Sequence, residues 1–152
     1  MEKAAKQGKI RNLPGMGEKT EENILKGISA LRKHKERIPI GEILPRVEVI
    51  FAELEKLKET KQALIAGSLR RMKETIGDAD ILIASEKPKP IMAAFVKLPE
   101  VSRVLSQGET KSSVITKDGF QLDLRVVEPD SFGAAAHYFT GSKSHNVKIR
   151  TL

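Results

Sequence analysis

The sequence predicts an α+β chain: a mixed or antiparallel sheet with helices on it, preceded by a small all-helical segment. Three observations carry this. Residues 40–58 hold an apolar stripe at helical spacing. Five short runs between residues 62 and 128 read as strands. Ahead of them, Leu13-Pro14-Gly15-Met16-Gly17 makes a tight turn between two basic, helix-forming stretches.

In chain order, residues 1–9 (MEKAAKQGK) form a short helix, and a second helix starts near Glu18, with Thr20, Ile24, Ile28 and Leu31 on one side. Helix, glycine turn, helix is the helix-hairpin-helix pattern. The turn's backbone N–H groups and those of the next helix point outward and can hold a DNA phosphate without reading sequence, with Lys19 adding a charge. In the third helix Ile43, Leu44, Val47, Ile50, Phe51, Leu54 and Leu57 form the core stripe, with Pro45 in about the first turn, where proline is tolerated. QALIAGS is a strand ending in a small-residue turn, LRRMKETIG a polar, basic connection, and DADILIAS the next strand. KPKPIMAAFVKL is a short apolar helix. VSRVLSQGET, KSSVITK and FQLDLRVVE are strands, the last two joined by a hairpin at Lys117-Asp118-Gly119. DSFGAAAHYF and KSHNVKIRTL are helices separated by Thr140-Gly141-Ser142.

Composition bounds the function. With 39% hydrophobic and 31% charged residues, the 152-residue chain can bury a core, built mostly of Leu, Ile, Val and Ala because aromatics are scarce. The absence of cysteine excludes a disulfide framework and a thiolate zinc site and fits a reducing compartment. No membrane span or signal-peptide core is present, so the expected location is the cytosol. The net charge of +7 sits at the ends: residues 1–37 carry 10 Lys+Arg against 5 Asp+Glu, residues 38–128 carry 14 against 14, and residues 129–152 carry 3 against 1. Basic flanks on a neutral middle fit a phosphate-backbone partner, and also a merely solvated lysine-rich surface.

The stretch TIGDADILI sets Asp78 and Asp80 at the mouth of an aliphatic strand. Alternation puts Asp78, Asp80 and Leu82 on one face and Ala79, Ile81 and Ile83 on the other. In FQLDLRVV, Asp123 shares a face with Gln121 and Arg125, opposite Leu122, Leu124 and Val126. If the two strands are neighbours, three carboxylates converge. Like charges at a buried site resist ionisation together unless something positive is present. A set of oxygen donors suits Mg²⁺, and two such ions can hold the attacking and leaving oxygens of an in-line displacement. Upstream, Gly67 lets a phosphate approach the backbone, Ser68 can donate from hydroxyl and N–H, and Arg71 can fork onto phosphate oxygens. Gly-Ser, a short gap and Gly-Asp-x-Asp together form the signature of the nucleotidyltransferase superfamily.

Taken in order, these motifs resemble a family X DNA polymerase, most closely the bacterial and archaeal branch. LPGMGEKTEENIL resembles the hairpin of the fingers subdomain. GSLRRMKETIGDADILI resembles the palm motif, FQLDLRVV carries the third aspartate, and YFTGSKSHNVKIR resembles the segment joining the palm to the nucleotide-selecting subdomain. The resemblance implies a hairpin segment at 1–37, a nucleotidyltransferase palm at 38–128, and the start of the nucleotide-selecting helices at 129–152. It implies that Asp78, Asp80 and Asp123 bind two Mg²⁺ ions, with Mn²⁺ as an alternative, and that Asp123 helps deprotonate the primer 3′-hydroxyl. Arg37, Gly67, Ser68, Arg71 and Gly77 would hold the incoming triphosphate. Tyr138 and Phe139 would line the sugar pocket, Gly141 would also bind the nucleotide, and Asn146 would touch the minor-groove edge of the nascent pair. Gly15, Gly17, Lys19, Thr20 and Arg150 would meet DNA, with a monovalent cation held by hairpin carbonyls. The implied partners are primer-template or gapped DNA and dNTP, and the chain is expected to act as a monomer.

The chain also departs from the family. Set against that resemblance, the 152 residues are expected to include neither the N-terminal lyase domain of some members nor the C-terminal phosphoesterase domain of many bacterial ones, and to reach only the start of the nucleotide-selecting subdomain. The expectation is therefore an excised polymerase core. The alternative is a DNA- and nucleotide-binding fragment with little turnover alone. A nucleotidyltransferase acting on RNA ends or small molecules is a third reading, which the hairpin and the YFTG segment disfavour. His137 and His145 read as surface or packing residues. Three scattered histidines and no cysteine predict no zinc site.

Overall fold

A computed structural model describes residues 5, 7–10, 17–33 and 37–151. The chain forms two compact units, Met1–Glu36 and Arg37–Leu152.

In the first unit, α1 spans Glu18–Lys33. The Gly17 carbonyl accepts from Thr20 N at 3.0 Å and Glu21 N at 3.1 Å, which starts the helix. The sequence pattern turns Thr20 inward, but Thr20 is exposed and Glu21 is buried instead. The reason is a backbone group: Glu21 Oε2 accepts from Ile10 N at 3.0 Å, so the carboxylate faces inward to satisfy a buried donor. Ile24 is half-buried, and Ile28 and Leu31 are described only as helical backbone. The Leu13–Met16 turn, with Gly15, lies outside the described residues. Gly17, Lys19 and Thr20 are exposed.

The second unit is built on a five-stranded mixed sheet, order β2-β4-β7-β6-β5. Its strands are β2 (Gln62–Ile65), β4 (Asp78–Ala84), β5 (Val101–Gln107), β6 (Lys111–Thr116) and β7 (Gln121–Val127). β4 and β7 are parallel and the other pairs antiparallel. A second, two-stranded sheet pairs β1 (Ile38–Pro39) with β3 (Thr75–Ile76).

Helices α2 (Ile40–Glu55) and α4 (Pro88–Phe95) contribute to the core through Ile43, Val47, Ile50 and Leu54, and through Ile91, Met92 and Phe95. They meet Ala79, Ile81, Ile83, Leu122, Leu124 and Val126 of the central strands. Ile40 N donates to Glu74 O at 3.0 Å and fixes the start of α2, so Pro45 falls in the second turn and not the first. The helix stops at Glu55, short of 58, where the Thr60 hydroxyl caps the Leu54 carbonyl at 2.8 Å.

The connection after β2 is more structured than its polarity predicts. β2 ends at Ile65, and Gly67–Arg70 then forms a single helical turn, α3, before β3. The C-terminal part runs through a 3₁₀ turn at Pro129–Ser131 into α5 (Phe132–Thr140), which lies against β4 and α3. α6 (Lys143–Arg150) follows, and Ser142 Oγ accepts from His145 N at 3.4 Å as its cap. Among the described residues, no helix is long and apolar enough to cross a membrane.

Candidate active site

The parallel pairing of β4 with β7 sets Asp80 directly opposite Asp123, and Asp78 opposite Gln121. Alternation does the rest. Ala79, Ile81, Leu122 and Leu124 are buried in the core, while Asp78 is exposed and Asp80 and Asp123 are half-buried on the other face. The neighbouring-strand condition is therefore met, and the two half-buried carboxylates occupy facing positions on adjacent strands.

Each carboxylate has a different environment. Asp123 Oδ1 accepts from Gln121 Nε2 at 2.9 Å, and its Oδ2 lies 3.9 Å from Lys111 Nζ. Asp80 is held well above the usual carboxylate range, at about 6: burial is the main cause, followed by the charges of Asp78 and Asp123, with Lys111 and Arg125 pulling the other way. Among the described residues, no three acidic or histidine side chains are gathered into a finished metal cage. Asp123 is turned toward Gln121 and Lys111 instead.

Beside this floor is a cleft of about 590 Å³. Gly67, Ser68 and Arg71, delivered by α3, line one side with Asp78 and Asp80. Tyr138 and Phe139 of α5, Gly141 of the linking turn, Asn146 and Arg150 of α6, and Arg37 also line the cleft. Sequence reasoning assigned all of these residues, and tertiary packing brings them to one cavity. Two are placed elsewhere. Gly77 does not line the cleft but lies behind Arg37, where an added Cβ would stand 3.4 Å from Arg37 Nη1. Asp123 faces a small recess of about 50 Å³ on the other side of Asp80, shared with Lys111, Arg125 and Phe139.

The cleft's polar groups are pre-positioned. Arg37 donates through Nε to Thr75 Oγ1 at 3.0 Å and through Nη2 to the Thr75 carbonyl. Arg71 donates through Nη1 to the Thr140 carbonyl, which ties α3 to the end of α5. Its Nε is buried and has no partner among the described residues. Asn146 Nδ2 donates to the Tyr138 carbonyl at 2.8 Å. The guanidinium of Arg150 lies 5.0 Å from the centre of the Tyr138 ring, and that of Arg125 lies 4.7 Å from the centre of the Phe139 ring.

Sequence reasoning missed Lys73, Lys143 and Val147, which also line the cleft, and Lys111, which faces Asp123. Lys73 and Lys143 had a signal: each is a lysine within two residues of an assigned phosphate- or sugar-contacting position. Lys111 had only a partial signal: the hairpin sets β6 beside β7, but the register that brings Lys111 near Asp123 came from the structure. A second hollow of about 340 Å³, between α2 and the β6–β7 turn, has a largely apolar wall, and Arg46 and Asp118, which also line it, already pair with each other at 2.7 Å. The chemistry therefore belongs to the first cleft.

The arrangement can hold a polyanion over a carboxylate floor. Residues 37–128 match the family model described as the DNA polymerase beta palm. Over 154 aligned residues, the chain is 36% identical to the DNA polymerase/3'-5' exonuclease PolX of Bacillus subtilis (strain 168), an alignment that takes in 100% of this chain and 27% of that protein. The chain thus spans about a quarter of the length of that relative.

Proposed function

The chain belongs to the family X DNA polymerases, and from that premise we propose that it carries a DNA-directed DNA polymerase core, transferring a deoxynucleotidyl group from dNTP to a primer 3′-hydroxyl in gap-filling repair. The observation that carries this reading is Asp80, in register beside Asp123 and lining with Asp78 a cleft whose walls supply Arg37, Arg71, Lys73 and Lys143.

The residues fit a hard divalent cation. The donors are all carboxylate oxygens, and the charged form of Asp80 is opposed by its two acidic neighbours, a repulsion that a cation would relieve. Asp78, Asp80 and Asp123 would hold Mg²⁺, which, when bound, supplies charge neutralisation at the reacting phosphate oxygens. In this reading Arg71, with its unpartnered buried Nε, Ser68 and the backbone at Gly67 bind the triphosphate, and Arg37 and the two lysines add charge at its outer end. Tyr138 and Phe139 orient the sugar, Asn146 meets the base edge, and Arg150 approaches the template. The 3′-hydroxyl oxygen attacks the α-phosphorus in line, its proton passes toward Asp123, and the bond to pyrophosphate breaks. Catalysis comes from positioning and from fixed charge. The helical unit containing Gly17, Lys19 and Thr20 would bind duplex DNA through phosphates, with affinity that falls steeply with salt.

The test is a dNTP titration, with and without Mg²⁺, followed by residue-resolved NMR. Mg²⁺-dependent shifts are expected at Ser68, Arg71, Asp78, Asp80 and Asp123, with primer extension as the next assay. Asp80→Ala should abolish those shifts and leave duplex DNA affinity unchanged or slightly raised, since a negative charge is lost. Loss of DNA binding with Mg²⁺-dNTP binding intact would overturn the assignment of the two sites.

A further inference from the structure

The two histidines of the C-terminal helices, read from the sequence only as surface or packing residues, meet in space. His137 of α5 and His145 of α6 place their Nε2 atoms 3.4 Å apart, with ring centres separated by 5.4 Å and planes tilted by 53°. A nitrogen–nitrogen hydrogen bond of that length is poor. The same two distances are close to the bite of a tetrahedral metal. With metal–nitrogen bonds of about 2.0–2.1 Å, two imidazoles on one ion have nitrogens roughly 3.3–3.4 Å apart and ring centres about 5.2 Å apart. Neither α5 nor α6 carries an acidic residue. No third carboxylate, imidazole or thiolate joins the pair among the described residues. The pair therefore suits an ion that prefers nitrogen, not the hard cation suited to the carboxylates.

We propose that His137 and His145 chelate a borderline divalent transition-metal ion such as Zn²⁺, and that the ion clips α6 to α5. Both rings are solvent-exposed, so water completes the coordination and the site exchanges freely. Its position gives it a consequence. His137 precedes Tyr138 and His145 precedes Asn146, both cleft residues, and Asn146 Nδ2 already donates to the Tyr138 carbonyl at 2.8 Å. The ion would add a second tie across the same joint and hold the Tyr138–Asn146 wall in place. This inference does not depend on the polymerase reading, and its test does not use polymerase activity.

The experiment is a Zn²⁺ titration of the full chain in excess Mg²⁺, which competes with Zn²⁺ for carboxylate oxygens, followed by imidazole ¹H–¹⁵N NMR with His34 as the internal reference. The Nε2 signals of His137 and His145 should move together and saturate at one ion per chain. His145→Ala should weaken binding about tenfold or more. His145→Cys, which restores a ligand, should recover it and show that loss in the alanine variant is not misfolding. Independent shifts at the two rings, binding unchanged in His145→Ala, or no saturation would each overturn the proposal.

Discussion

Gly67 is packed against Asp80: a Cβ built at residue 67 would stand 2.2 Å from Asp80 Oδ2, and Gly67 has φ +59°. Any side chain at 67 must therefore displace the carboxylate and adopt a left-handed backbone. Gly67→Ala should cost about 1–2 kcal/mol from conformation alone, and should reduce Mg²⁺-dependent dNTP binding at least about tenfold because Asp80 moves. Urea unfolding and nucleotide titration of the same variant check the two parts separately.

Asp80 should make the metal-free protein less stable as pH rises. Its folded pKa of about 6 lies above the ordinary carboxylate value of 3.8, so the folded state favours the protonated acid. The penalty is absent below the unfolded pKa, grows between the two values, and is complete above about 6. Asp80→Asn should thus stabilise the metal-free chain at pH 7 by up to about 3 kcal/mol, and should leave its stability at pH 3 unchanged. Denaturant melts at the two pH values decide it. Equal stabilisation at both would show that the effect is not the carboxylate charge.

Arg71 and Gly141 act as a pair. Gly141 has φ +72°, and an added Cβ would lie 3.1 Å from Arg71 Nη1, the nitrogen that donates to the Thr140 carbonyl. Gly141→Ala should push the guanidinium aside and weaken dNTP binding, with the triphosphate contributing most of the loss. Comparing dNTP with the matching deoxynucleoside in a binding titration tests this: the nucleoside should lose little.

Asp118 should protect the β6–β7 turn in the opposite pH direction. Burial raises its pKa, but hydrogen bonds from Thr116 and Arg46, the latter at 2.7 Å, outweigh burial and leave it below the ordinary value. Its contribution is present above the unfolded pKa and is lost as pH falls through the lower folded value. Because Arg46 and Asp118 are well exposed, Asp118→Asn should cost only a few tenths of a kcal/mol near neutrality, with the difference vanishing in strong acid. Amide exchange at Gly119 and Phe120, read against pH, follows it locally.

What the chain determined by itself is the chemistry and the faces. Period-two alternation fixed which side Asp78, Asp80 and Asp123 occupy, because one-residue slips would expose Ile81 and Leu124. The apolar stripe of α2 was legible for the same reason, since burial of Ile43, Val47, Ile50 and Leu54 dominates helix placement there. Local readings failed where a distant group intervened. The start of α2 at Ile40 was as expected, but Thr60 set its end short of 58, and Ile10 drew Glu21 inward. Tertiary structure alone decided that β4 and β7 are parallel and in register at Asp80 and Asp123, that Lys111 faces Asp123, and that His137 and His145 meet across a turn. Apart from the β6–β7 hairpin, whose turn was legible at Lys117-Asp118-Gly119, strand partners and helix–helix crossings are settled by non-local packing, which the short-range pattern of a strand or helix does not specify.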